Sequence, residues 1–260
     1  MTEIYQVNLT REHLAAMPVA ERRLLLLLGH ATNEVNVFQK LILMAGQATP
    51  ELKFVDHVQA GQVFILMRTL IGKLHEAWEL FRVRFQSDPS IANRYGSKLN
   101  AEATAALVDL NKHFGKRSPL TLIRNGFSFH YKDEQDLVEE SFQRIPADEE
   151  WNIYLSNKQG NCFYYASELV IAGAVIKLCN YIRDETQLYP AEEARNFGNL
   201  CDLLIKVSGD IQTLFGHCIA EIVSENFPHL QAPEPINITN APALADMHIP
   251  FFTEDTEFKS

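Results

Sequence analysis

Residues 191–225, AEEARNFGNLCDLLIKVSGDIQTLFGHCIAEIVSE, decide the fold class. Phe197, Leu200, Leu204, Val207, Ile211, Leu214, Cys218 and Ile222 recur three or four positions apart, the spacing of one face of an α-helix. Pro190 stands just ahead, where its fixed φ suits a helix start. A seam of this length predicts packing against another long helix, in the same chain or across a dimer. Working back along the chain, Ala166 to Asp184 is apolar almost all round between Ile171 and Leu178, which predicts a central core helix.

The first half of the chain repeats the pattern. Val19 to about Ala45 reads as a helix whose buried side carries Leu28, Val35, Phe38, Leu41 and Ile42. A polar band, His30, Asn33, Glu34 and Asn36, interrupts it and is expected to face solvent or to touch a functional site elsewhere. After a turn at Thr49-Pro50, residues 51–85 read as one helix more than about 50 Å long. Ser87-Asp88-Pro89 ends it, Ile91 to Asn100 is expected to be irregular, and Asn100 can cap a helix over Ala101 to Phe114.

The β signal lies in Trp151-Asn-Ile-Tyr-Leu and Cys162-Phe-Tyr-Tyr around the turn-forming Ser156 to Asn161, read as a small hairpin over about 151–165. Residues 227–260 carry Pro228, Pro233, Pro235, Pro242 and Pro250 and have no period. They are expected to form an extended tail, pinned by Ile249, Phe251 and Phe252. The expected architecture is therefore an all-α helical bundle over 1–226 with a hairpin insertion and a tail over 227–260.

Composition narrows the class. The chain has 260 residues, 47% hydrophobic and 22% charged, enough to bury a full core. Cys162, Cys179, Cys201 and Cys218 form no CxxC pair and read as reduced thiols of a cytoplasmic protein, with Cys201 and Cys218 on the apolar seam. The five leucines 24–28, flanked by Arg22, Arg23 and His30, are too short a run to span a bilayer, so no membrane role is expected. His75, Glu76 and Glu79 have no second Glu-x-x-His helix to complete a metal bundle, so neither a metal nor another cofactor is expected.

Charge singles out one region. Between Asn111 and Lys132 the chain holds Lys112, Lys116, Arg117, Arg124 and Lys132, with His113 and His130, and no acid, whereas the whole chain has 23 Lys+Arg against 33 Asp+Glu. Eight acids follow within 133–150, a run that reads as a solvated face. Inside the basic stretch, Ser118-Pro119 is a helix start and Gly126 a candidate stop. In an unbroken α-helix Arg124 and His130 would point about 120° apart, and a break at Gly126 lets them converge. A guanidinium beside an imidazole suits phosphoryl transfer, the first holding phosphate oxygens and the second moving a proton. A helix-end arginine can instead serve a carboxylate such as Asp133, Asp136 or Glu139.

Arg124-Asn125, followed after four further residues by His130, resembles the motif of the HEPN superfamily, an arginine with a polar neighbour and a histidine after a gap of four to six. The resemblance implies a helical homodimer with a composite, metal-independent RNA-cleaving site, of the kind found in toxins and defence ribonucleases. It implies that Arg124 clamps the scissile phosphate, Asn125 orients it and His130 is the general acid/base, with Lys116, Arg117, Tyr131 and Lys132 as substrate-binding neighbours. Many members place a tyrosine two positions past the histidine; here Tyr131 follows His130 directly and Lys132 takes that position. RNA, a second copy and an antitoxin or other protein are the partners this reading implies. The competing expectation is a non-catalytic helical module that binds a protein or nucleotide.

Overall fold

The computed structural model describes residues 2–47, 52–115, 118–128, 136–158, 160–180, 190–229 and 235–254. The architecture is an all-α helical bundle with a small two-stranded antiparallel sheet. In chain order the elements are β1 (Thr2–Tyr5), α1 (Arg11–Ala16), α2 (Val19–Gly46), α3 (Lys53–Phe81), α4 (Pro89–Tyr95), α5 (Ala101–His113), α6 (Pro119–Ile123), α7 (Leu137–Arg144), α8 (Tyr165–Asn180), α9 (Pro190–Asn226) and β2 (Pro235–Ile238). Single π turns follow α3 at Arg82–Gln86 and α6 at Arg124–Ser128. At 37 residues α9 is about 55 Å long, as its seam predicts.

The chain divides into two compact units. The first comprises Met1–Asn36, Lys73–Gly115 and Ile205–Ala243. Its core is built from Leu24, Leu28 and Val35 of α2, Leu74, Trp78 and Phe81 of α3, and Val207, Ile211, Leu214 and Ile222 of α9, all buried. Aromatic rings reinforce it, with Phe81 stacked between Phe85 at 4.6 Å and Phe215 at 5.6 Å. Cys218, on the seam, is buried, and burial pushes its thiol up to about 12, which fits packing rather than reactivity.

The stretch expected to be irregular is helical. Asp88 accepts the Ser90 backbone N–H at 3.0 Å and Pro89 takes the first helical position, so α4 forms and buries Ile91 and Tyr95 one turn apart. A short 3₁₀ turn over Gly96–Lys98 then leads to Asn100, whose Oδ1 accepts from Ala103 N at 2.8 Å and starts α5.

A buried carboxylate ties α4 into this unit. Glu21, 4% exposed, accepts hydrogen bonds from the Tyr95 hydroxyl at 2.6 Å, from Asn226 Nδ2 at 2.6 Å and from Arg94. Burial, then the Glu21 carboxylate, raises the Tyr95 phenol well above its ordinary range, so it stays a donor at any physiological pH. Arg94 and Lys98 also pair with Glu225, outside this cluster. One carboxylate thus links α2, α4 and α9.

In the polar band of α2, His30 and Asn33 face solvent as expected, whereas Glu34 and Asn36 are half-buried. Glu34 accepts from Lys73 Nζ at 2.5 Å, and Asn36 accepts from Gln212 Nε2 at 2.6 Å, so the band ties α2 to α3 and α9.

The sheet forms from segments in which no strand is expected. β1 pairs antiparallel with β2 in the register Thr2↔Ile238, Glu3↔Asn237, Ile4↔Ile236 and Tyr5↔Pro235. The expected hairpin shrinks to one antiparallel bridge, Tyr154↔Phe163, closed by two backbone bonds of 2.8 Å. Two constraints shorten it. Phe163 is drawn onto α3, and α8 begins at Tyr165, which ends the extended run.

The second unit comprises Val37–Gly72, Lys116–Leu204 and Leu244–Ser260. Its α8 carries the buried apolar residues Val170, Ala174, Val175 and Leu178. On α3, a Cβ at Gly61 would stand 2.3 Å from Phe163 Cζ, so only glycine lets that ring lie on the helix. Gly173 on α8 gives the same close approach to α7, where Ser141 Oγ donates to Val170 O at 2.8 Å.

Glu21→Ala is expected to lower the unfolding free energy by about 3 kcal/mol, because it leaves the buried Tyr95 hydroxyl without its acceptor. Glu21→Gln, which keeps an acceptor, is expected to cost less. Urea denaturation followed by circular dichroism measures both, and an alanine variant as stable as the parent contradicts the central role given to this carboxylate.

Candidate functional site

Arg124 and Asn125 belong to the second unit, where α6 packs on α8. Ser118 Oγ accepts from Thr121 N at 3.5 Å and Pro119 occupies the first turn, the start that the dipeptide predicts. Leu120 and Ile123 are fully buried and fix the helix to its neighbours. Gly126 does not stop the chain. The helix runs on through a π turn over Arg124–Ser128, in which Phe127 is buried and Ser128 Oγ reaches back to Ile123 O at 3.5 Å. Ile123 and Phe127, four residues apart, are both buried, and a wider helical turn keeps both in the core.

The turn sets the side chains in place. Arg124 is half-buried, Asn125 is exposed, and Arg124 Nη1 donates to Asn125 Oδ1 at 3.0 Å. That bond occupies the acceptor end of the amide; the NH2 end is the one able to donate to an anion. The adjacent pair therefore offers a guanidinium and an amide donor on one local frame, a combination suited to phosphate oxygens. π turns recur at functional sites, where the inserted residue redirects side chains.

The remaining members of the expected constellation, Lys116, Arg117, His130, Tyr131 and Lys132, lie outside the described residues. So does Asp133, one of the carboxylates named as a possible partner of the arginine. At the other end of the basic stretch, Lys112 and His113 belong to the first unit. Lys112 pairs with Asp109 at 3.1 Å, and Lys206 bonds the same carboxylate at 2.6 Å. Burial, then the nearby Lys206 ammonium, lowers the His113 imidazole below its ordinary value, which favours its neutral form.

The acidic run after the motif is partly neutralised by its own neighbours. Glu140 on α7 pairs with Lys177 of α8. Glu150 accepts from Lys53 Nζ at 2.6 Å, and the Lys53 bond holds its carboxyl below the usual range. Glu139, by contrast, is exposed and accepts from Gln143 Nε2 of its own helix at 2.7 Å, which fits the expected solvated face.

Two groupings in this unit have no counterpart in the sequence reading. His57 stacks on Tyr165 at 4.6 Å and 10°, with its Nδ1 4.0 Å from Glu150 Oε2, so the loop before α8 is clamped to the first turns of α3. Arg68 Nη2 donates to Glu168 Oε2 at 2.7 Å, both largely buried. Neither pair is local in sequence, and only aromatic and charge composition hints at them. Among the described residues no cluster of three or more His, Cys, Asp or Glu could hold a metal ion, and no helix is long and apolar enough to cross a membrane. No protein-family model, curated protein or solved structure matches the chain.

Glu168 yields a pH prediction. Burial raises its carboxyl above the ordinary value and outweighs the pull of Arg68 in the other direction. A raised folded-state value means the folded chain binds this proton more tightly, so this group's contribution to stability falls as pH rises from the unfolded value through the folded one. Glu168→Gln, neutral at every pH and still an acceptor for Arg68, is therefore expected to gain stability relative to the parent as pH rises from about 4 to 7. Paired urea titrations across that range test it, and a gap that stays constant or closes with rising pH contradicts it.

Proposed function

We propose that the chain is a HEPN-like protein that acts on RNA as a metal-independent endoribonuclease, with Arg124, Asn125 and His130 as its working residues. The observation that carries the reading is the bonded Arg124–Asn125 pair on a helical π turn. It is supported by the acid-free, basic composition of residues 111–132 around it.

In this reading Arg124 binds the non-bridging oxygens of the scissile phosphate and Asn125 Nδ2 fixes its orientation. The ribose 2′-oxygen attacks the adjacent phosphorus. The new 2′-O–P bond forms as the P–O5′ bond breaks, giving a 2′,3′-cyclic phosphate and a free 5′-hydroxyl. His130 moves a proton in this step, taking it from the 2′-hydroxyl or delivering it to the leaving 5′-oxygen, and water or a second histidine serves the other oxygen. The charge that grows on the phosphate is met by the guanidinium, which needs no metal. Lys116, Arg117 and Lys132 would supply phosphate contacts on either side, and Tyr131 a stacking face for a base. Two copies of the chain, and a protein that restrains the activity, complete the proposal as a toxin or defence nuclease.

The chain carries a formal charge of −10, which opposes general nucleic-acid binding and confines any attraction to the basic stretch. Binding is accordingly expected to be selective and to weaken steeply with salt; tight binding of bulk duplex DNA at physiological salt argues against this charge distribution as the determinant.

Incubation with single-stranded and structured RNA in EDTA tests the chemistry. Cleavage leaving 2′,3′-cyclic phosphate ends is expected, falling by about 100-fold or more in Arg124→Ala and His130→Ala and by less in Asn125→Ala. Cleavage equal to the parent's in the first two variants removes the assigned roles. RNA binding with no cleavage by the parent chain favours the non-catalytic module.

A further inference from the structure

The segment Ile249-Pro250-Phe251-Phe252-Thr253 lies along a surface of the second unit without regular backbone structure of its own. Side-chain amides hold its main chain. Gln59 Nε2 of α3 donates to Ile249 O at 3.1 Å, and Ile249 N donates to Met44 O at 3.2 Å. At the other end Asn161 grips Thr253 twice, Nδ2 donating to Thr253 O at 2.6 Å and Oδ1 accepting from Thr253 N at 3.1 Å. That two-point grip copies the pairing of one residue in an antiparallel ladder and reads backbone, whatever the side chain. Between these ends Phe251 meets the Phe163 ring edge-on at 5.1 Å, and Phe252 lies 5.9 Å from Phe54.

Part of the surface has anchors other than the segment, since Gln59 Nε2 also donates to Ala45 O at 2.7 Å and to Gln62 Oε1 at 3.0 Å. Gln59 and Asn161 are buried at 4% and 6% exposure, and Phe163 is locked on Gly61. The segment, in contrast, supplies none of the buried core among the described residues: Ile249, Phe251 and Phe252 are only half-buried, and Pro250 and Thr253 are exposed. Asn161 finds both acceptor and donor in a partly covered, irregular segment, and Gln59 shares its donor group between Ala45 O and that segment, an arrangement suited to a peptide receptor occupied in cis.

We propose that Phe54, Gln59, Asn161 and Phe163 form a peptide-docking groove, that the chain's own residues 249–253 are its resident ligand, and that an extended segment of another protein with an Ile-Pro-aromatic-aromatic pattern takes the same place. The groove recognises main chain through the two amides and selects sequence through the two rings. It serves whether or not the chain cleaves RNA, since none of its residues belongs to the Arg124 motif.

The test uses the full chain and a fluorescein-labelled peptide of residues 246–254, DMHIPFFTE. In a full chain carrying Phe251→Ala and Phe252→Ala, anisotropy should show saturable binding at least about tenfold tighter than to the unaltered chain, whose groove is filled. Adding Asn161→Ala should weaken it by about tenfold or more, since two hydrogen bonds are lost. A peptide with both phenylalanines replaced by alanine should not bind. In the unaltered chain, which needs no substitution to fold, excess peptide should speed hydrogen exchange at 249–253. Absence of binding to a double variant that keeps the parental circular dichroism, binding indifferent to Asn161→Ala, or exchange unmoved by peptide would each overturn the proposal.

Discussion

In the second unit, helices and rings approach more closely than most residues permit, and glycine makes the approach possible. At Gly61 a methyl group would collide with Phe163, and at Gly173 it would collide with Ser141. Each contact lies beneath something of interest. Phe163 on Gly61 is the floor of the groove that holds 249–253, while Ser141 on Gly173 keeps α7 against α8, the same helix on which α6 and its arginine rest. Losing either glycine would force a ring or a bonded hydroxyl to move. Its consequence would reach the groove or the packing around α8 before it reached the rest of the chain.

The first unit depends on polar bonds in a different way. A buried carboxylate is costly unless most of its lone pairs are used, and Glu21 spends them on a tyrosine, an asparagine and an arginine from elements distant in sequence. The Glu34–Lys73 and Asn36–Gln212 bonds add partners for the same helix, so α2 is fixed by directional contacts as well as by its leucines. Apolar seams alone tolerate a helix sliding by a turn, whereas these bonds have one register.

Helical periodicity made the fold readable. Val19–Gly46, Ala101–His113 and Pro190–Asn226 follow from seams and caps that the sequence carries openly, and Ser118-Pro119 starts α6 where expected. What periodicity could not reveal was non-local. β1 and β2 are four residues each and paired across more than two hundred positions, so neither short run announces its partner. α4 is two turns long, and only its Asp88-Pro89 start distinguishes it from a loop. Gly126 misled because glycine permits a helix stop without requiring one; Phe127 had more to gain by remaining helical and buried. Within the candidate site, the adjacency of Arg124 and Asn125 was legible, whereas the bond between them depends on the π turn.

The two sites in the second unit use amides in opposite senses. Asn125 is exposed and gives its oxygen to a neighbouring guanidinium, which leaves donors for an anion. Asn161 is buried and engages both ends with a peptide group, a neutral partner that presents one donor and one acceptor. An anion could not satisfy the Asn161 oxygen, which accepts from a backbone N–H. The two amides are thus suited to different groups, the exposed Asn125 donors to an anion and the buried Asn161 pair to a peptide group. The proposed RNA site and the proposed groove share no residue, so under the two proposals an RNA and a peptide would not compete for the same side chains.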